Sequence, residues 1–347
     1  MEQTLGRFAS RADREVPAPL VFAGAAFDPA ATVRDAVWDA FGGWQVLVPA
    51  ITIVRRGERW SGWACAGDFP VSACEVPPDL GRAASTDLRA AVTQAVGEIR
   101  SGAYEKVVLA GSRVVPLGST TPADVLERLC QAFPSCAVFS LRSGGLTWLG
   151  ASPEPLARCE AGRAELVSLA GSRRRGRDAA EDLRLEQELL TSAKERWEHR
   201  LVVEAIASEA QDLLEEPCIS ATPEVMKLAN IQHLRTPISG QLARGVSILD
   251  LVERLHPTPA VGGWPRVHAL DAIRRLERMD RGWYAGPIGW VDAAGNGEFV
   301  VGLRTALLGS SEARLYAGAG IVADSDPAAE LEEIETKLDA LRGVIST

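Results

Sequence analysis

The sequence has no run of lysines and arginines long enough to follow a phosphate backbone, and its 46 acidic residues outnumber 37 basic ones for a net charge of −9. Charge therefore argues against a nucleic-acid partner. The six cysteines, Cys65, Cys74, Cys130, Cys136, Cys159 and Cys218, include no CxxC pair and no Cys/His cluster of zinc spacing. Their pattern argues against a disulfide framework and a structural metal, and fits a reducing compartment. No stretch approaches the roughly 20 apolar residues that span a bilayer, and the amino-terminal MEQTLGRFASRADREVPAPL carries charges throughout. The expected location is the cytoplasm, away from membranes. GxSxG, Walker A and HExxH are missing, so serine acyl transfer, P-loop phosphoryl transfer and zincin chemistry lack their usual signatures. Repeats at solenoid periods and low-complexity tracts are missing as well.

What is present is a globular composition: 347 residues, 46% hydrophobic and 24% charged, with 32 Gly and 20 Pro. At about 150 residues per domain, this allows two domains or one large unit able to shelter a site from water. Up to about Pro78, short β-rich runs (LVFAGAAF, WQVLVPAITIVRRG) read as supporting sheet. The segment Glu75 to Ser85, with paired prolines and a glycine, is the best internal boundary, dividing a variable part (1–80) from a catalytic region (81–347). A helix is predicted from Ser85 to Arg100, with Leu88, Val92, Ala95 and Ile99 as its apolar stripe and Ser85, Thr86 and Asp87 at its start.

Strands follow: EKVVLAGSRVV, then CAVFSLR and LTWLG joined by a hairpin turn at Ser143-Gly144-Gly145, then LARCE and AELVSLAG. One long helix is predicted from Asp182 to Leu214, with Leu185, Leu189, Ser192, Trp197, Leu201, Ile206 and Leu213 on one side. Shorter helices at Ser247 to Leu255 and Ala269 to Met279, the strands WYAGPIGWV, GEFVVGLRTALL and RLYAGAGIV, and a helix from Pro327 to Leu341 complete the chain. Strands that cluster on short turns favour antiparallel sheets packed with helices, an α+β fold, over a doubly wound one. The G-x-G of YAGAGIV lacks the third glycine of a dinucleotide fingerprint.

Several residues could carry chemistry, each with a bland alternative. Glu330, Glu333 and Lys337 share one face of the last helix, as a solvated salt-bridged face would also have them. Ser325 and Asp326 can cap that helix, where backbone N–H groups become available to an anion. Glu195, Glu198 and His199 lie on another helix, where Glu198 could join Glu333 as a hard-oxygen ligand for Mg²⁺. Lys106 lies within an apolar strand, where burial would make it a usable base, although a snorkelling surface lysine reads the same way. Glu154, set among Leu149, Ala151, Pro155 and Leu156, is a candidate general acid. Arg173 to Arg175 with Arg177 form the densest basic cluster, which a solvated loop rim would explain. His199, His233, His256 and His268 show no metal-ligand spacing.

Nine separated motifs, in order, resemble the chorismate-utilising enzymes: EKVVLAGSR (Glu105 to Arg113), WLGASPEPL (Trp148 to Leu156), SLAGSRRRG (Ser168 to Gly176), ELLTSAKERWEH (Glu188 to His199), IQHLRTPISG (Ile231 to Gly240), LHPTPAVGGWP (Leu255 to Pro265), DRGWYAGPIGW (Asp280 to Trp290), GEFVVGLRTALL (Gly297 to Leu308) and YAGAGIVADSDPAAELEEIETK (Tyr316 to Lys337). Within that family they look most like those of isochorismate synthases. The resemblance covers about Glu105 to Leu341; the first hundred residues match loosely. It implies one large domain of two stacked antiparallel sheets flanked by helices, with chorismate and Mg²⁺ bound between sheets and helices. A dicarboxylate meeting a chain of this net charge needs such a local cation.

The resemblance further implies Glu198 and Glu333 as metal ligands, with Glu330 acting directly or through water. Arg304, Lys337, Gly171, Ser172, Gly318 and Gly320 would hold the substrate's carboxylates. Tyr284 would lie near the enolpyruvyl group, and His256 and Ala260 would line the cleft. Lys106 is the implied base and Glu154 the implied acid of a hydroxyl exchange. Ala170 replaces the nucleophilic lysine that aminodeoxychorismate synthases commonly carry. Ala260 replaces the threonine usual in anthranilate and salicylate synthases. A monomer without a glutaminase partner is expected; salicylate and anthranilate-type synthesis and a catalytically dead chorismate-binding protein are the alternatives.

Overall fold

The computed structural model describes residues 20–31, 33–56, 59–64, 78–80, 87–227 and 231–345. Most of the Glu75 to Ser85 boundary, the caps Ser85 and Thr86, and Cys65 and Cys74 lie outside the described residues. The other four cysteines are free.

Two antiparallel sheets dominate, as expected for an α+β chain. Numbered along the chain, the larger comprises β1 (Leu20–Ala25), β2 (Trp44–Leu47), β8 (Pro155–Glu160), β9 (Arg163–Arg174), β10 (Leu214–Ile219), β11 (Glu224–Lys227), β12 (Ile231–Leu242), β14 (Pro287–Asp292) and β15 (Gly297–Val301). Its order is β10-β12-β9-β8-β15-β14-β1-β2, with β11 also on β12. The smaller comprises β5 (Lys106–Pro116), β6 (Ala137–Ser143), β7 (Leu146–Ser152), β13 (Gly263–Trp264), β16 (Thr305–Leu308) and β17 (Glu312–Ile321), ordered β13-β5-β17-β16-β7-β6. A separate hairpin, β3 (Ile51–Arg56) with β4 (Arg59–Ala64), was not anticipated as a third sheet. One hydrophobic cluster runs through both large sheets. Trp148 of β7 is fully buried, with ring centroids 4.8 Å from Phe139 and 5.5 Å from Trp283 at the approach to β14.

Seven helices are described: α1 (Leu88–Arg100), α2 (Pro122–Ala132), α3 (Ala179–Thr191), α4 (Ala193–Ala210), α5 (Ile248–Leu255), α6 (Arg266–Leu276) and α7 (Pro327–Ile345). None of them is long and apolar enough to cross a membrane. Asp87 caps α1 through the Ala90 N–H at 3.1 Å.

The structure corrects the sequence reading in four places. Helix α2 was missed, although Thr121 and Asp124 form a capping box around Pro122 and bury Val125 and Leu129. The single helix expected over Asp182 to Leu214 is two, because Ser192 leaves helical geometry (φ −63°, ψ 118°) to cap α4. Trp197, placed on the apolar stripe, is 38% exposed. GEFVVGLRTALL is not one strand either: the chain leaves the larger sheet after β15 and enters the smaller at β16, turning at Arg304, whose φ of +51° is unusual for a side chain. The WYAGPIGWV strand begins only at Pro287. The Gly144-Gly145 hairpin is as expected, with positive φ at both glycines (55° and 77°) as a two-residue turn demands.

Candidate active site

Lys106 opens β5 and is buried at 2% exposure. Its Nζ donates to Glu198 Oε1 at 2.5 Å. Across the ladder, Gly320 faces Val108, and a Cβ there would lie 3.1 Å from Lys106 Cε and 3.5 Å from Glu198 Oε1. Glycine at 320 therefore makes the room in which this pair sits. Burial alone would raise the Glu198 carboxyl, but the charge and hydrogen bond of Lys106, with help from Lys194 and Lys337, hold it below the ordinary carboxylate range.

Glu198 is aimed by its neighbour in sequence. His199 is buried, donating from Nδ1 to Ala170 O (3.2 Å) and accepting at Nε2 from Thr236 Oγ1 (2.7 Å). Those bonds fasten α4 to β9 and β12 and turn Glu195 and Glu198, three residues apart, to one side. A bulge on β9 lets α4 approach: the register shifts between Ala170 and Ser172, and Gly171 adopts φ +72°. A Cβ on Gly171 would meet Glu195 O at 2.9 Å. The Ser172 N–H donates to Glu195 Oε2 at 2.9 Å, and its Oγ is 2.7 Å from His233 Nδ1.

Glu154 lies between β7 and β8. Ser152 Oγ donates to Val301 O (2.5 Å) and accepts the Glu154 N–H (3.2 Å), which fixes the bend. The residue keeps partial solvent access, yet desolvation pushes its carboxyl up to about 7, an effect the Lys106 charge only partly offsets. Tyr284, stacked on Tyr316 at 5.4 Å, is buried, and burial raises its phenol, with the Glu154 charge adding to the rise. Its hydroxyl would be 3.2 Å from a Cβ on Gly318.

Helix α7 brings the second acidic set. Asp326 caps it through the Ala328 and Ala329 N–H groups (3.0 and 2.9 Å). Ser325 Oγ donates to buried Glu330 at 2.6 Å. Burial raises the Glu330 carboxyl, and the charges of Glu333 and Glu198 raise it further. Lys337 Nζ donates to Glu333 (2.7 Å) and to Gly318 O (2.8 Å). Arg304 is partly buried, its guanidinium 4.6 Å from the Phe133 ring centroid.

His256 donates from Nε2 to the Phe27 carbonyl at 3.0 Å, its buried Nδ1 has no hydrogen-bond partner among the described residues, and burial drives it down to about 4. Ala260 lies in the turn from Thr258 to Gly262, whose Gly262 O accepts the Val108 N–H of β5. The histidine that stands among the site's charges is His233. Burial drives it down to about 4, Lys337 and Arg304 push the same way, and Glu333 and Glu198 oppose them. Neither His233 nor Glu195 was singled out as a site residue. The sequence held no signal for them, because the pairing of β12 with β9 that sets His233 opposite Ser172 exists only in the folded sheet.

Carboxylates on two helices, close enough to shift one another, match Mg²⁺ in donor chemistry. Among the described residues no three acidic, His or Cys side chains form a closed ligand group, but Mg²⁺ commonly takes one or two carboxylates and fills its octahedron with water and substrate oxygen.

A buried amine paired with a carboxylate of α4, with a second acidic set on α7, stands on these two antiparallel sheets. Residues 78–346 match the family model described as chorismate binding enzyme, and the chain belongs to that family. It is 42% identical to the salicylate biosynthesis isochorismate synthase of Pseudomonas aeruginosa, over 95% of this chain and 75% of that one. It is 38% identical to the isochorismate synthase MenF of Bacillus subtilis, over 92% and 73%. The solved structure of MenF, the menaquinone-specific isochorismate synthase from Escherichia coli, superposes with a TM-score of 0.82 at 26% identity, covering 99% of this chain and 82% of that one.

Proposed function

We propose that this chain is an isochorismate synthase that isomerises chorismate with Mg²⁺. The observation that carries the reading is the buried Lys106 amine held at 2.5 Å against Glu198, in a chain whose Glu154 carboxyl is pushed by desolvation up to about 7. In the reaction, water attacks C2 of the ring, the double bonds shift, and the C4–O bond breaks. Lys106 takes the proton from the attacking water, and Glu154 gives one to the departing hydroxide, so a carboxyl pushed up to about 7 is half protonated where it must act. Arg304 and Lys337 supply positive charge for the substrate's carboxylates; Arg304 is suited to a two-pronged grip. The Ser172 N–H is already given to Glu195, so the SLAGS segment contributes by holding that carboxylate and His233. Glu198 and Glu333, with Glu330, are the groups to hold Mg²⁺, which when bound neutralises charge between these carboxylates and the substrate.

Incubating the purified chain with chorismate and Mg²⁺ and separating the products tests the reading. Isochorismate is expected. Salicylate with pyruvate, an ammonium-dependent aminated product, or no conversion would each overturn it.

A further inference from the structure

Glu277 and Arg281 have no role in the chemistry above, yet they are buried at 1% and 4% exposure beside the strand that carries Lys106. Strand β13 pairs with β5 at two positions only, Gly263 with Val107 and Trp264 with Lys106. One more rung follows, from the Val108 N–H to Gly262 O at 2.9 Å. Side chains then continue the ladder: Arg281 donates to Val108 O at 2.8 Å, and Glu277 Oε1 accepts the Ala110 N–H at 2.8 Å. The same guanidinium donates to Val261 O at 2.9 Å, holding the turn that carries Ala260, and to both oxygens of Glu277. Its carbon lies 4.0 Å from the Phe27 ring centroid and 5.9 Å from that of Tyr284.

A buried strand edge needs both a donor and an acceptor, which no apolar pair of the same volume supplies. A planar fork bonded at three nitrogens also leaves little freedom to slide. We infer that Glu277 and Arg281 are positioning residues for Lys106: they replace a missing strand and set the height of β5 against Glu198 and Glu154. The inference rests on the reading of Lys106 as the base, two residues before Val108. A displaced base loses rate far faster than it loses substrate affinity; a shift of about 1 Å can cost ~10²-fold.

Two measurements on Arg281→Lys test this, namely amide hydrogen exchange and the separate kinetic constants. Exchange at Val107 to Ala110 is expected to rise while β12 keeps its protection. The kcat should fall about tenfold to a hundredfold with KM for chorismate within about threefold. Glu277→Gln, which keeps the shape and one acceptor oxygen, should give the same split to a lesser degree. Wild-type kcat, a loss carried entirely by KM, or unchanged exchange at Val107 to Ala110 overturns the proposal. A general loss of protection across both large sheets in both variants overturns it too, since the pair would then only stabilise the fold. An inert wild-type chain would overturn the isochorismate reading instead, and the exchange difference would still decide whether the pair braces β5.

Discussion

Two buried ion pairs meet β5, and they differ in how far their hydrogen-bonding capacity is used. Arg281 bonds through all three guanidinium nitrogens, to two carbonyls and to Glu277. Lys106 has, among the described residues, one hydrogen-bond partner, Glu198. The first pair uses four of the five guanidinium hydrogens and belongs to the scaffold. The second leaves the Lys106 nitrogen with one partner, so that as a neutral amine it keeps a lone pair for a proton, and unsatisfied capacity of that kind can be spent on a reaction.

The largest expected effect separates the pairs by activity. Lys106→Ala and Glu154→Gln should each lower turnover by about 10² to 10⁴-fold while chorismate binding, followed by titration, stays measurable; full activity in either removes the assignment. Stability should divide the other way. Arg281→Met strands Glu277 in the core and should cost about 3–5 kcal/mol in denaturant unfolding. Lys106→Met should cost less, because Glu198 keeps some exposure and feels Lys194 and Lys337. Equal losses would break the comparison.

A finer test adds one methyl group. Gly320→Ala puts a carbon 3.1 Å from Lys106 Cε, and kcat should fall about threefold to tenfold with little change in melting temperature. The smallest effects are read by pH. With Glu154 at about 7, kcat/KM should decline as pH rises through 7, and Glu154→Gln should abolish that limb along with most of the rate. His233 and His256, both held down to about 4, bind fewer protons folded than unfolded between that value and 6.5. Stability should therefore fall as pH drops from 6.5 toward 4, and His256→Gln should flatten part of the slope in melting temperature.

Much of this was legible in the amino-acid order because the signals were local. The Gly144-Gly145 turn, the apolar run of β5 and the Ser247 cap of α5 each depend on residues within a few positions of one another. Helix α2 was legible too, through the capping box of Thr121 and Asp124 around Pro122. The break at Ser192 was harder, since serine inside an amphipathic pattern fits either a helix interior or a cap. The split of GEFVVGLRTALL was not legible: Phe299 and Leu307 look alike in a hydrophobic pattern, and only their partners, Ala157 in one sheet and Trp148 in the other, set them apart.

By itself the sequence determined the α+β class and the antiparallel arrangement, because short-range spacing encodes periodicity, and the resemblance of its nine motifs to a family supplied the candidate set of Lys106, Glu154, Glu198, Glu330, Glu333, Arg304 and Lys337. Tertiary structure alone decided that His233 stands opposite Ser172, that Glu195 receives the Ser172 N–H, and that Glu277 and Arg281 complete the edge of β5. The reason is physical: a pKa, an ion pair or a missing rung depends on distances between residues far apart in the chain, and pairing and burial fix those distances only once the sheets have formed.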